Sequence, residues 1–105
     1  MITCTVDYGS YGDVTAMLTD TTYSGGFARI DVYRDASVSY LVRYNNGEEE
    51  AETFDEDVYS VKEAVEQAVY SVADFLAFDA SNNGIEYDIA YSRIRSALGT
   101  ELHIF

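Results

Sequence analysis

The chain contains no proline and no tryptophan, a single cysteine (Cys4), a single histidine (His103) and a single lysine (Lys62). Each scarcity removes a class of protein. One cysteine excludes an intramolecular disulfide and a cysteine-based zinc site within one chain. Without proline, every turn falls to Gly, Asn, Asp and Ser. No long apolar run is present and no stretch has the basic flank of a signal peptide, so a cytoplasmic protein that does not span a membrane is expected. Positive charge is the scarcest of all: 6 Lys+Arg stand against 19 Asp+Glu in 105 residues, a formal net charge of −13. A field of that sign disfavours direct binding to nucleic acid or to an anionic membrane, and its natural complement is a basic partner or a cation.

What the chain does hold is enough apolar residues for one folded domain spanning 1–105. Val, Ile, Leu and Phe supply a core beyond the reach of a charged disordered chain, and ten Tyr add half-polar aromatic surface. Ile2-Thr3-Cys4-Thr5-Val6 alternates and reads as a strand. Asp13 is placed to cap a short helix carrying Val14, Met17 and Leu18. Residues 27–33 and 38–44 are rich in β-formers, and Asn45-Asn46-Gly47 marks a hairpin whose returning strand is 48–54. Read as a two-residue Asn46-Gly47 turn, this hairpin pairs Val42 with Ala51 and Tyr40 with Thr53. It leaves Phe27, Arg29, Asp31, Tyr33, Leu41, Arg43, Glu50, Glu52 and Phe54 on the opposite sheet face. The earlier hairpin needs an odd-length connection around Asp35.

A long helix follows, capped by Asp55 or Asp57 and running to about Phe78. Its core stripe is Val58, Val61, Val65, Ala68, Val69, Val72, Phe75 and Leu76, with Glu63, Glu66, Tyr70 and Asp74 on the other side. A second, shorter helix spans about 88–98 with Gly99 as its C-cap, and 102–105 suit a last strand. The expected fold is therefore α+β: a three-stranded antiparallel meander, extendable by terminal strands, packed against a long helix and a shorter one.

No constellation of nucleophile, base and charge stabiliser is visible, so the chain is read as no enzyme and without cofactor. His103 lies in an apolar strand pattern and Cys4 alternates with Ile2 and Val6. Asp79-Ala-Ser81-Asn-Asn83-Gly84 matches the first half of an EF-hand loop, but Ala90 stands at the twelfth position where a bidentate Glu is needed, so no metal site is expected.

Charge distribution is the feature that remains. Residues 48–79 contain eleven acids and one base, a net of −10, and 48–57 alone hold seven acids. Acids spread over the whole surface would suit adaptation to high salt; these are concentrated. The candidate partner-binding residues are Glu48, Glu49, Glu50, Glu52, Asp55, Glu56, Asp57, Glu63, Glu66, Tyr70 and Asp74. Carboxylates closely spaced on a rigid strand and helix imitate the charge repeat of nucleic acid, which a basic groove accepts.

The small size, the acidity, the meander closed by Asn46-Gly47 and the Glu48-to-Asp57 acid run resemble the DNA-mimic inhibitors of phages and mobile elements, of anti-CRISPR or antirestriction type. The resemblance implies a non-catalytic inhibitor that occupies the nucleic-acid or PAM-reading groove of a nuclease complex, with the acids above as phosphate stand-ins. The reading from a different class is a small acidic assembly domain that pairs through Phe27, Tyr33, Leu41 and Phe54.

Overall fold

The computed structural model describes residues 2–8, 14–20, 26–55, 57 and 59–102. Five strands form one antiparallel sheet in chain order: β1 (Ile2–Tyr8), β2 (Val14–Asp20), β3 (Phe27–Val32), β4 (Val38–Arg43) and β5 (Glu49–Phe54). Two helices, α1 (Val61–Asn82) and α2 (Tyr87–Glu101), cover one face, α1 over β3 and β4 and α2 over β1 and β2. The α+β class and its meander hold, with the meander extended by two strands on the N-terminal side. No helix among the described residues is long and apolar enough to cross a membrane.

The short helix expected after Asp13 is strand β2. Val14, Ala16 and Leu18 share one face at period two, and β2 pairs on both sides, Ala16 with Val6 and with Ile30. Both Ala16 and Leu18 are fully buried there. Tertiary pairing outweighs the helical reading of Val14, Met17 and Leu18. Residues 103–105, which complete the expected last strand, lie outside the described residues, and Leu102 is the C-cap of α2. Gly99 is inside α2 and buried.

The β4–β5 hairpin differs from the sequence expectation by one residue. Gly47 N–H donates to Tyr44 C=O at 2.9 Å, and Tyr44 N–H to Glu48 C=O at 2.8 Å. The loop is therefore the three residues Asn45-Asn46-Gly47, with Gly47 in the left-handed region at φ 91°. Val42 faces Glu50 and Tyr40 faces Glu52. The slip turns the whole strand over, moving Glu50, Glu52 and Phe54 to the helix side and Ala51 and Thr53 to the open side. Burial of a phenyl ring favours this register over one that would bury Ala51. The β3–β4 loop has the odd length expected and the same construction around Arg34-Asp35-Ala36, but a non-glycine residue, Ala36, occupies the left-handed position at φ 73°.

Helix α1 begins later than expected. Its N-cap is Ser60, whose Oγ accepts from Glu63 N–H at 3.2 Å while donating to Glu63 Oε1 at 2.9 Å. Val58 lies outside the described residues. Leu18, Ile30, Val38 and Val42 from the sheet meet Val65, Val69, Val72 and Leu76 of α1 and Ile94 and Leu98 of α2 in one core. The helices approach through Ala77, Ala80 and Ala90, small enough to bring the backbones close.

Candidate functional site

Because α1 sits over β3 and β4, strand β5 forms a rim, and Phe54 alone of its six residues is buried. Glu50 and Glu52 project on the helix side of that rim, facing the flank of α1 that carries Ser71, Phe75 and Phe78 at helical spacing. Tyr40 stands between rim and helix. It is 5% exposed, its ring lies 6.2 Å from Phe75 and 6.0 Å from Phe54, and its hydroxyl donates to Glu52 Oε2 at 3.2 Å. Burial first, then the Glu52 charge and hydrogen bond, push the Tyr40 phenol up to about 12, while a hydrogen bond with Ser71 acts the other way.

One turn of α1 further on, a recess of about 250 Å³ opens between the β4–β5 loop and the end of the helix. Tyr44, Asn46, Glu48, Phe75, Phe78, Asp79 and Asn82 line it, and Phe78 is 63% exposed. Burial, then the charges of Glu50, Asp79, Asp74 and Glu48, raise the pKa of the Tyr44 hydroxyl above its ordinary value. Asp79 is itself raised by burial, and its Oδ2 is buried without a hydrogen-bond donor among the described residues. The last turn of α1 contains no base.

The candidate acids divide among several surroundings. Glu50 and Glu52 lie on the helix side of β5, and Glu48 lines the recess beside them. Glu49 lies on the open sheet face, where its Oε2 pairs with Arg43 Nε at 2.8 Å. Asp55 and Asp57 are exposed in the turn before α1, with Asp55 Oδ1 accepting from Asp57 N–H at 2.9 Å. Glu56 lies outside the described residues. Glu63 is engaged in the N-cap of α1. Glu66 is half-buried on α1, as is Tyr70, which lies beneath the Arg95 guanidinium of α2 at 5.4 Å. Asp74 is exposed and accepts a short hydrogen bond from Tyr87 of α2.

Tyr40, Tyr44, Phe75, Phe78 and Asp79 join the rim, although none is among the partner-binding residues expected from the sequence. Tyr44 directly precedes the loop, and Phe78 and Asn82 extend from Phe75, at the margin of the core stripe, at helical spacing; both signals are present in the sequence.

The two ion pairs among the described residues, Arg29–Asp31 and Arg43–Glu49, both lie on the open face, leaving the rim carboxylates without a basic partner. That open face no longer includes Phe54, which is 6% exposed in the core, so the aromatic-apolar patch expected there is reduced to Phe27, Tyr33 and Leu41 with Met17 and Ala51 beside them. The segment from Asp79 to Asn82 is the last turn of α1, so the EF-hand-like spacing forms no loop. No group of three or more His, Cys, Asp or Glu among the described residues is arranged to hold a metal ion. Cys4 is half-buried, with its thiol pushed up to about 11 by burial and then by Glu101. What the rim offers chemically is acceptor oxygens and aromatic faces, a combination suited to guanidinium and ammonium groups. Neither a family model nor a curated protein nor a solved structure matches the chain.

Proposed function

We propose that this chain is a non-catalytic inhibitor that binds a basic nucleic-acid-handling protein, such as a nuclease or CRISPR effector complex, through the acidic rim of β5 and the adjoining flank of α1. The observation that carries this reading is the pairing of charge: both ion pairs among the described residues lie on the open sheet face, while Glu48, Glu50 and Glu52 have no basic partner among those residues and stand beside Tyr40, Tyr44, Phe75 and Phe78. Side chains two residues apart on a strand are spaced about 6.8 Å. Glu50 and Glu52 thus repeat negative charge within a factor of two of one nucleic-acid strand, which carries a charge per ~3.4 Å. A groove lined with Arg and Lys pairs with such a row, and the neighbouring rings supply dry contact area that a phosphate backbone lacks. The long-range field of a −13 chain speeds the encounter at low salt.

The test is capture of the partner from bacterial lysate, followed by titration of labelled duplex DNA against the purified complex between 50 and 300 mM salt. The proposal expects a partner with a basic nucleic-acid groove, displacement by DNA, and affinity that falls steeply as salt rises. A partner that holds the chain and DNA together, with affinity indifferent to salt, contradicts it.

A further inference from the structure

The two edges of the sheet carry opposite degrees of protection. β5 ends the sheet with Glu49, Glu50 and Glu52, and such charges discourage the addition of another strand. β1 carries one acid, Asp7, in seven residues, with no Gly or Pro, and it pairs with β2 from Ile2 to Tyr8 without a bulge. Among the described residues it has no strand on its outer side, so alternate backbone N–H and C=O groups point away from the sheet. Behind this edge, Ile2, Thr3 and Cys4 line an open recess of about 560 Å³ with Ser96, Ala97, Thr100 and Glu101 of α2. Ile2, Cys4 and Val6 are half-buried apolar groups packed against the core on the helix-covered side.

We infer that β1 pairs antiparallel with β1 of a second copy, joining two five-stranded sheets into one of ten strands. Two properties of the edge select a second copy as the occupant. The first is self-complementarity. A strand paired antiparallel with itself satisfies the outer backbone groups of both copies. It also places Ile2, Cys4 and Val6 of each on the helix-covered side, where they fill the recesses beside both α2 helices. Whether the two-fold axis passes at Cys4 or at Thr5, Asp7 of one copy never faces Asp7 of the other.

The second is charge. A chain at −13 repels its own copy over most of its surface, and β1 is the sheet edge farthest from the acid run of 48–57, with Asp7 on the strand and Glu101 of α2 as the acids beside it. Pairing there separates the two β5 rims by nine strand spacings, ~43 Å. That is several Debye lengths at physiological salt, so the rims contribute little repulsion. Seven residues make a contact strip ~24 Å long, which belongs with the smaller specific interfaces and a concentration-dependent dimer.

Sedimentation equilibrium of the full chain from 1 to 200 μM at 0.15 M salt tests this. The expected mass rises with concentration from 11.7 kDa toward twice that value. Thr3 and Thr5 are exposed on the open face, so charges there leave the core alone. The Thr3→Glu/Thr5→Glu variant sets like charges across the two-fold in either register and is expected to weaken the dimer at least tenfold; Thr3→Gln/Thr5→Gln retains it. Amide exchange of unaltered β1 gives a readout independent of the variants, with protection expected to grow as concentration rises. A monomer at 200 μM overturns the inference, as does a dimer indifferent to the Glu pair. Protection of β1 that does not change with concentration, as another segment of the same chain would give, overturns it equally.

Discussion

Replacing Phe54 with alanine tests the register that decides which acids share the rim. In the observed pairing Phe54 is 6% exposed, 6.0 Å from the ring of Tyr40 and 5.4 Å edge-on from that of Tyr59. Removing a buried phenyl ring costs ~3–5 kcal/mol, and the two ring pairs account for ~0.5–1.5 kcal/mol each beyond area. Phe54 sits at the end of an edge strand, where neighbours relax into the space, so the lower end applies: a loss of about 3 kcal/mol. For a domain of this size that corresponds to a fall in Tm of roughly 12 °C. Urea unfolding followed by circular dichroism reads the loss directly, with Thr53→Ala as the companion on the open face expected to change stability by less than ~0.5 kcal/mol. A two-residue turn would reverse the ranking by putting Phe54 on the open face and Thr53 inward. A loss below ~1 kcal/mol for Phe54→Ala, or a larger one for Thr53→Ala, therefore refutes the register and with it the grouping of Glu50 and Glu52 beside Tyr40.

Ala36 occupies in the β3–β4 loop the left-handed position that Gly47 occupies in the β4–β5 loop. Relief of its ~1–2 kcal/mol strain exceeds the added entropy of a glycine in the unfolded chain, so Ala36→Gly is expected to raise stability by about 0.5–1 kcal/mol, read by urea midpoint. Asp79 is an acid in the last turn of α1 with a raised pKa and a buried oxygen lacking a donor among the described residues. A carboxyl whose folded pKa is raised stabilises in its protonated form and loses that contribution as pH rises through the folded pKa. Asp79→Asn is accordingly expected to raise Tm at pH 7 and to lose that advantage below pH 3.5, in calorimetry at the two pH values. The Tyr40 phenol at about 12 lies above its unfolded value of 10.0, so native stability is expected to fall between pH 10 and 12 as the unfolded chain gives up protons first. Ultraviolet titration of wild type against Tyr40→Phe isolates that ionisation.

Period-two and helical patterns made β1, β3, β4 and both helices legible, because each buries one face and the apolar spacing records it. β2 was not, since Val14, Met17 and Leu18 satisfy a helical spacing as well as Val14, Ala16 and Leu18 satisfy a strand; only pairing with Val6 and Ile30 separates the two. The hairpin at Asn45-Asn46-Gly47 announced itself, but its loop length did not, because Gly47 serves a two-residue turn and a three-residue loop equally well. That single uncertainty decided the face of every residue in β5. Composition places eleven of the nineteen acids in residues 48–79. The rim and the Arg43 pair follow from the β5 register, Glu63 from the local Ser60-x-x-Glu63 capping pattern, and only the Asp74–Tyr87 contact from how the two helices pack, which no local pattern carries.

The central claim is that the β5 rim is the binding surface. The most direct measurement compares Glu50→Lys/Glu52→Lys with Asp88→Lys/Glu101→Lys, two pairs that change net charge equally, for binding to the captured partner by calorimetry at 0.15 M salt. Folding of both variants is first verified by circular dichroism. Reversal at the rim is expected to weaken binding at least a hundredfold, as for charges that dock against a basic groove, and reversal on α2 less than fivefold. Equal losses from the two pairs, or unchanged binding by the rim pair, would contradict the account.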